Sequence, residues 1–154
     1  TETGLVPALD TGNTVISDSL AISEYFNELS NGLLFPENQL DRALARSMVS
    51  ELHSGFSGVR GSCPFSSKGV KPLENLDHIK IELNRIETIF SKAQGTFMFS
   101  RPSVVDAFYS ILAFRLHSYG ILFQGKAGEY QRSLVGWSSL KTAIQKNREW
   151  GSNG

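Results

Sequence analysis

Leu5-Val6-Pro7-Ala8-Leu9, Asp10-Thr11-Gly12-Asn13, Thr14-Val15-Ile16-Ser17 and then Asp18-Ser19 form the stretch on which the reading of this chain turns. The first piece is apolar and broken by proline, the second is a dense turn signal, and the third is β-branched and strand-like. Together they predict a β-hairpin. Asp18 or Ser19 then supplies an N-cap oxygen, and Ile22, Tyr25, Phe26 and Leu29 recur at helical spacing as one apolar face. Asn31-Gly32 ends that helix, because both residues tolerate the left-handed conformation that follows a helix. A hairpin with one helix is marginal alone, so further strands are expected to complete the sheet.

Beyond it, Leu33-Leu34-Phe35-Pro36 is too apolar for a flexible tether and reads as a packed crossover. A long helix is predicted from about Asp41, with Leu44, Met48, Leu52 and Phe56 at four-residue steps and glycines at 55, 58 and 61 loosening its end. Pro72 is placed as a first-turn proline of the next helix, in which Leu76, Ile79, Leu83, Ile86 and Phe90 make the buried stripe and Lys80, Glu82, Arg85 and Glu87 the polar faces. From Ser103 to Leu116 almost no polar face is left, which predicts a helix buried on all sides. Tyr119-Gly120 marks its exit, and shorter helices around Glu129–Val135 and Ser138–Lys146 follow.

The 154 residues suffice for one ordinary domain, or for a small piece of one joined to a complete second. The 15 basic and 15 acidic side chains balance and neither sign is blocked, which argues against nucleic acid or an anionic membrane surface as partner. Cys63 is the single cysteine, so no intrachain disulfide framework exists and a reducing, cytoplasmic setting is expected. No apolar run approaches the roughly 20 residues of a membrane span. Thr1-Glu2-Thr3-Gly4 has neither the basic start nor the apolar core of a signal peptide.

Four motifs, in order, resemble the glutathione S-transferase superfamily. They are Gly4-Leu5-Val6-Pro7-Ala8-Leu9 (the strand with its cis-proline), Ile16-Ser17-Asp18-Ser19-Leu20-Ala21-Ile22 with Tyr25 (the acidic-Ser helix entry), Leu34-Phe35-Pro36 (the linker) and Ser103-Val104-Val105-Asp106 (the capping box of the buried helix). Glu51-Leu52-His53-Ser54-Gly55-Phe56, Cys63-Pro64 and Tyr119-Gly120 resemble a subgroup common in bacteria. The resemblance implies an α+β, mainly α chain. Residues 1–32 would be the later part of a thioredoxin-like domain, 33–36 the linker, and 37–154 an all-helical domain. The family's first β-α-β unit, which carries its catalytic Tyr, Ser or Cys, is expected upstream of Thr1, so the 154 residues by themselves are expected to be inactive.

The same resemblance assigns the glutathione site to Val6, Pro7, Asp18 and Ser19. A cis Val6-Pro7 bond would turn the Val6 backbone groups toward a peptide-like ligand, which pairs with them as an added strand would. Ser19 would offer hydroxyl and N–H to the γ-glutamyl carboxylate at a helix start, where the helix dipole favours an anion. Its alternative role is a cap alone. Asp18 would repel that carboxylate unless it faces the ligand's ammonium or the backbone.

His53, Phe56 and Arg60 lie late in the long helix, where the resemblance implies an electrophile pocket in which His and Arg could meet an acidic substrate, against a plain reading as a half-exposed surface His and a solvated Arg. Arg115, charged within an apolar helix, reads as a structural partner of carboxylate or carbonyl groups, and Cys63 as a bystander thiol. Ser103 and Asp106 form a structural capping box, with the weak staple pair Pro102 and Ala107 beside it. No metal is expected. The implied activity is conjugation of glutathione to a small electrophile by a homodimer. A glutathione-dependent isomerase of the maleylacetoacetate type and a non-catalytic binding or scaffold protein are the alternatives.

Overall fold

The computed structural model describes residues 4 and 6–152, Ser152 by its backbone alone. Leu5 and the segment Thr1–Thr3, which figure in the motifs above, and the last two residues lie outside the described residues.

Strands β1 (Ala8–Asp10) and β2 (Val15–Ser17) pair antiparallel, with Ala8 opposite Ser17 and Asp10 opposite Val15. The turn is closed by Asp10 Oδ1, which accepts from Gly12 N–H at 2.8 Å, and by Thr14 O, which accepts from Thr11 N–H at 3.0 Å. Helix α1 (Ser19–Leu29) follows directly, and Asn31 and Gly32 after it both adopt positive φ. Its predicted apolar face is not buried. Phe26 and Leu29 are exposed, Ile22 and Tyr25 are half-buried, and Asn27 is the buried residue of the helix. The hydrophobic stripe marked the helix correctly, but the described residues cover it only in part.

Asn27 is buried because it anchors the crossover. Its Oδ1 accepts from Leu34 N–H at 3.2 Å, while Leu34 O accepts from Val104 N–H at 2.8 Å. Arg101 donates to the carbonyls of Leu33 and Phe35, and the Arg46 guanidinium lies 4.8 Å above the Phe35 ring. Arg46 also pairs with Glu24 of α1 at 2.8 Å.

Helix α2 (Gln39–Ser54) starts two residues earlier than predicted, because Asn38 Oδ1 caps it by accepting from Leu40 and Asp41 N–H. It stops at Ser54, and Phe56 is not its last apolar step. Phe56 takes a left-handed conformation, φ 55°, and opens a separate short helix, α3 (Ser57–Ser62). Phe56 lacks a capping side chain, and α3 is capped from a distance. The Glu82 carboxylate accepts from Gly58 N–H at 3.2 Å and Val59 N–H at 2.7 Å.

Pro72 does not start the following helix. Leu73 N–H is committed to Tyr119 O at 3.1 Å, which holds this stretch outside any helix. Helical structure begins only after Asn75 Oδ1 takes Asp77 N–H, with a 3-10 turn at Asp77–Ile79 leading into α4 (Lys80–Phe90). Then come α5 (Val104–Ser118), α6 (Gly125–Gly136) and α7 (Ser138–Ser152), the last two longer than the sequence indicated.

The core lies between α2, α4, α5 and α6. Phe90 sits at its centre, meeting the rings of Tyr109, Phe123 and Tyr130 edge-on at 6.0, 5.7 and 5.2 Å. Tyr109 Oη donates to Met48 O at 2.9 Å, and Tyr130 Oη donates to Asp106 Oδ1 at 2.8 Å. Burial raises the pKa of both phenols, and the neighbouring carboxylates Glu51 and Asp106 raise them further. With the folded value above the unfolded one, the stabilisation is whole below the ordinary phenol pKa of about 10 and is lost as pH rises beyond it. The unfolding free energy from urea titration is therefore expected to hold to about pH 9.5 and then to fall, by up to about 1.4 kcal/mol per pH unit for each ring. A value unchanged to about pH 11.5 would remove both phenols from the account.

Asp106 is fully buried and does more than close a capping box. Its Oδ2 accepts from Ser103 N–H at 2.8 Å and from the Ser103 hydroxyl at 3.0 Å. Its Oδ1 accepts from Met98 N–H and Tyr130 Oη, both at 2.8 Å. One carboxylate thus ties the start of α5 to the preceding loop and to α6.

Candidate functional site

Helix α5 is the element that the sequence pattern describes least well. Its apolar residues go all round, yet one face is open: Ala107 is exposed, and Phe108, Ile111 and Arg115 are half-buried. That face is the wall of a cavity of about 810 Å³. Leu52, His53 and Arg60, from α2 and α3, continue the wall. Val6, Pro7, Ser17, Asp18 and Ser19 close the other side.

The hairpin side is built by local chemistry. The Val6–Pro7 bond is cis, and Pro7 O accepts from Asp18 N–H at 3.2 Å, which fastens the proline segment to the start of α1. Asp18, with φ 83°, is the N-cap. Its Oδ1 accepts from Leu20 N–H at 2.7 Å, and its Oδ2 faces His53 Nε2 at 3.0 Å. Asp18 therefore joins α1 to α2 across the cavity mouth, with both oxygens engaged. Ser19 is the first helical residue and half-buried. Its N–H belongs to the first-turn donors that helix geometry leaves unpaired, and among the described residues no hydrogen bond engages its hydroxyl. A hydroxyl and an N–H at the positive end of an 11-residue helix are suited to an anionic group.

The helical side is mostly apolar, with cationic groups at one end. Arg60 Nη1 donates to His53 O at 3.2 Å. Arg115 Nη1 reaches Arg60 O at 3.4 Å and Cys63 O at 3.5 Å, the long end of hydrogen-bond range. Burial lowers the Arg115 pKa, and the like charge of Arg60 lowers it further. The carbonyl contacts match the structural role expected of Arg115, but its place in the cavity wall was not foreseen. The clue in the sequence was Ala107, Ile111 and Arg115 at four-residue steps: one face of a helix, with its charge on the same stripe.

Of the residues singled out from sequence, Val6, Pro7, Asp18, Ser19, His53 and Arg60 meet in this one cavity. Phe56 does not line it and is buried in the core at 6% exposure. Cys63 is buried too, and desolvation raises its thiol pKa against the pull of Arg115, which keeps it from the reactive thiolate form. Ser103 and Asp106 lie outside the cavity, and Pro102 and Ala107 are both exposed, so no staple forms there. Among the described residues no group of three or more His, Cys, Asp and Glu side chains is placed to hold a metal ion. No helix among them is long and apolar enough to cross a membrane.

Neither a protein-family model nor a curated protein sequence matches the chain. A solved structure does: glutathione transferase Omega 3C from Trametes versicolor is similar at TM-score 0.68 and 19% identity, over 90% of this chain. The chain spans 66% of the length of that structure. With a hairpin and helix leading into a helical bundle in the same arrangement, the chain has a glutathione transferase fold.

Proposed function

We propose that the cavity binds glutathione along Val6, Pro7, Asp18 and Ser19, and that the protein carrying the complete site conjugates the glutathione thiolate to a small electrophile lying on α5. The observation that carries this reading is the division of a single cavity into two unlike walls. One has exposed backbone and a helix N-terminus, and the other is the apolar stripe Ala107, Phe108, Ile111 and Leu112. The glutathione transferase fold supports it. The cysteinyl backbone would pair beside Val6, and the γ-glutamyl carboxylate would meet Ser19. Asp18, already spent on Leu20 N–H and His53, would act chiefly by holding the helix end in place.

The proposal includes the division into a partial thioredoxin-like domain (1–32), a linker (33–36) and a helical domain (37–154), a homodimer, and a cytoplasmic location. Thiolate rather than thiol attacks an electrophile, so a group near the sulfur must stabilise the anion.

Ser19→Ala is expected to weaken glutathione binding by about 1–3 kcal/mol, the usual cost of a lost hydrogen bond to a charged group. Titration calorimetry tests this, and an unchanged affinity would remove Ser19 from the site. Mass analysis of the product then separates the chemistries. A product heavier by one glutathione marks a transferase, an isomer of unchanged mass marks an isomerase, and binding without turnover marks the scaffold role.

A further inference from the structure

The cavity has a charge of definite sign at its helical end. Arg60 and Arg115 both line it, and both also line a second cavity of about 440 Å³ walled by Ser54, Gly55, Pro64 and Phe65. The two guanidiniums thus stand at the junction of two open volumes. Each carries five N–H donors, and the chain spends few of them: one bond to a carbonyl from Arg60 and two long ones from Arg115. Among the described residues, no carboxylate lies within ion-pair distance of either, whereas Arg46, Arg85 and Arg101 each have one. Among the described residues Asp18 is the single carboxylate lining the larger cavity, and it is held by Leu20 N–H and His53. The balance in the wall is therefore two fixed positive charges against one engaged negative charge, with a histidine beside it.

Holding two like charges together costs energy unless a counter-charge arrives. Next to them lies an apolar floor of Phe108, Ile111 and Leu112. We propose that the second ligand of this cavity is an organic carboxylate, its apolar body on the α5 floor and its carboxylate held by Arg60 and Arg115. The planar guanidinium fork suits this, because it matches a carboxylate in bidentate geometry. This names the electrophile class for the function proposed above and rests on that reading for the word electrophile, but the carboxylate site itself is independent of glutathione.

The test uses a matched pair of probes, 2-naphthoate and 2-naphthamide, which share the ring and differ in charge. Binding is measured by calorimetry without glutathione. Naphthoate is expected to bind at least tenfold more tightly than naphthamide, and the difference should shrink as salt rises. Arg60→Gln and Arg115→Gln should each weaken naphthoate roughly tenfold and leave naphthamide unchanged. Because Arg115 also touches two carbonyls, the Arg60 variant and the wild-type probe ratio decide the matter should Arg115→Gln fail to fold. Equal affinity for the two probes, no binding of either, or naphthoate affinity untouched by Arg60→Gln would overturn the proposal. Ser19→Ala separates the two readings. It should weaken glutathione and keep naphthoate, and failure of glutathione to bind the wild type would sink the transferase reading while leaving the probe ratio to judge this one.

Discussion

Replacing Asp106 by Ala is expected to cost on the order of 4 kcal/mol. The carboxylate accepts from two buried backbone N–H groups, a serine hydroxyl and a tyrosine hydroxyl, and alanine leaves all four donors without a partner. Each buried donor left unsatisfied costs about 1–3 kcal/mol, and water has no ready route to a residue of zero exposure. For a chain of this length, 1 kcal/mol moves the melting temperature by about 2–4 °C, so a fall of roughly 10 °C is expected. Ser103→Ala is the control. It removes one hydroxyl and leaves the Asp106 bonds to Met98, Tyr130 and the Ser103 backbone, so it should cost only about 1 kcal/mol. Calorimetric melts of the two variants decide the point. If Asp106→Ala melts no lower than Ser103→Ala, the carboxylate is a cap and no more, and packing holds α5.

Gly128→Ala is expected to be comparably damaging for a reason of shape. A methyl group built on Gly128 would lie 2.2 Å from Phe123 O and 2.8 Å from its carbonyl carbon. Those atoms are backbone, so relief requires moving the segment before α6. That segment is fixed at both ends of the Gln131 amide, which donates to Ile121 O at 2.8 Å and accepts from Phe123 N–H at 3.0 Å. Overpacking of this kind, forcing a backbone shift, costs about 1–3 kcal/mol and occasionally more. Alanine normally favours a helix interior over glycine by about 1 kcal/mol, so propensity alone predicts the opposite sign. Urea unfolding separates the two effects, and a stabilised variant would show that the 121–124 segment moves freely.

The sequence disclosed elements whose cause is local. The turn at Asp10–Asn13, the cap at Asp18, the left-handed exit at Asn31-Gly32 and the box at Ser103 and Asp106 all depend on neighbours within four residues. It misled where a distant group decides. Phe56 sits on the same four-residue stripe as Met48 and Leu52, and only the Glu82 carboxylate, reaching across from α4, shows that a second helix begins there. Pro72 looks like a helix start until Leu73 N–H is seen bound to Tyr119 O. For the cavity, the hairpin residues were legible from their motif. The α5 wall was not, because an apolar side chain lining a cavity and one packed in a core have the same composition. The exposed face of α1 is the same difficulty reversed, since periodicity identifies an apolar stripe but not what covers it.

The two walls of the cavity belong to parts of the molecule with very different cohesion. Helix α5 itself contributes Val105, Tyr109, Leu112, Ala113 and Leu116, all nearly inaccessible to solvent, whereas the hairpin and α1 bury a single residue, Asn27, between them. Local opening is cheapest where few apolar contacts must be broken, so within the described residues the hairpin wall is the easier of the two to displace. A ligand gripped by both walls then binds only the fraction of molecules in which the hairpin is seated, and its apparent affinity is the intrinsic one reduced by that fraction. The Arg46–Glu24 pair and the Asp18–His53 contact, which fasten the hairpin side to α2, thereby tune affinity through a population, and the Arg46–Glu24 pair does so without touching the ligand.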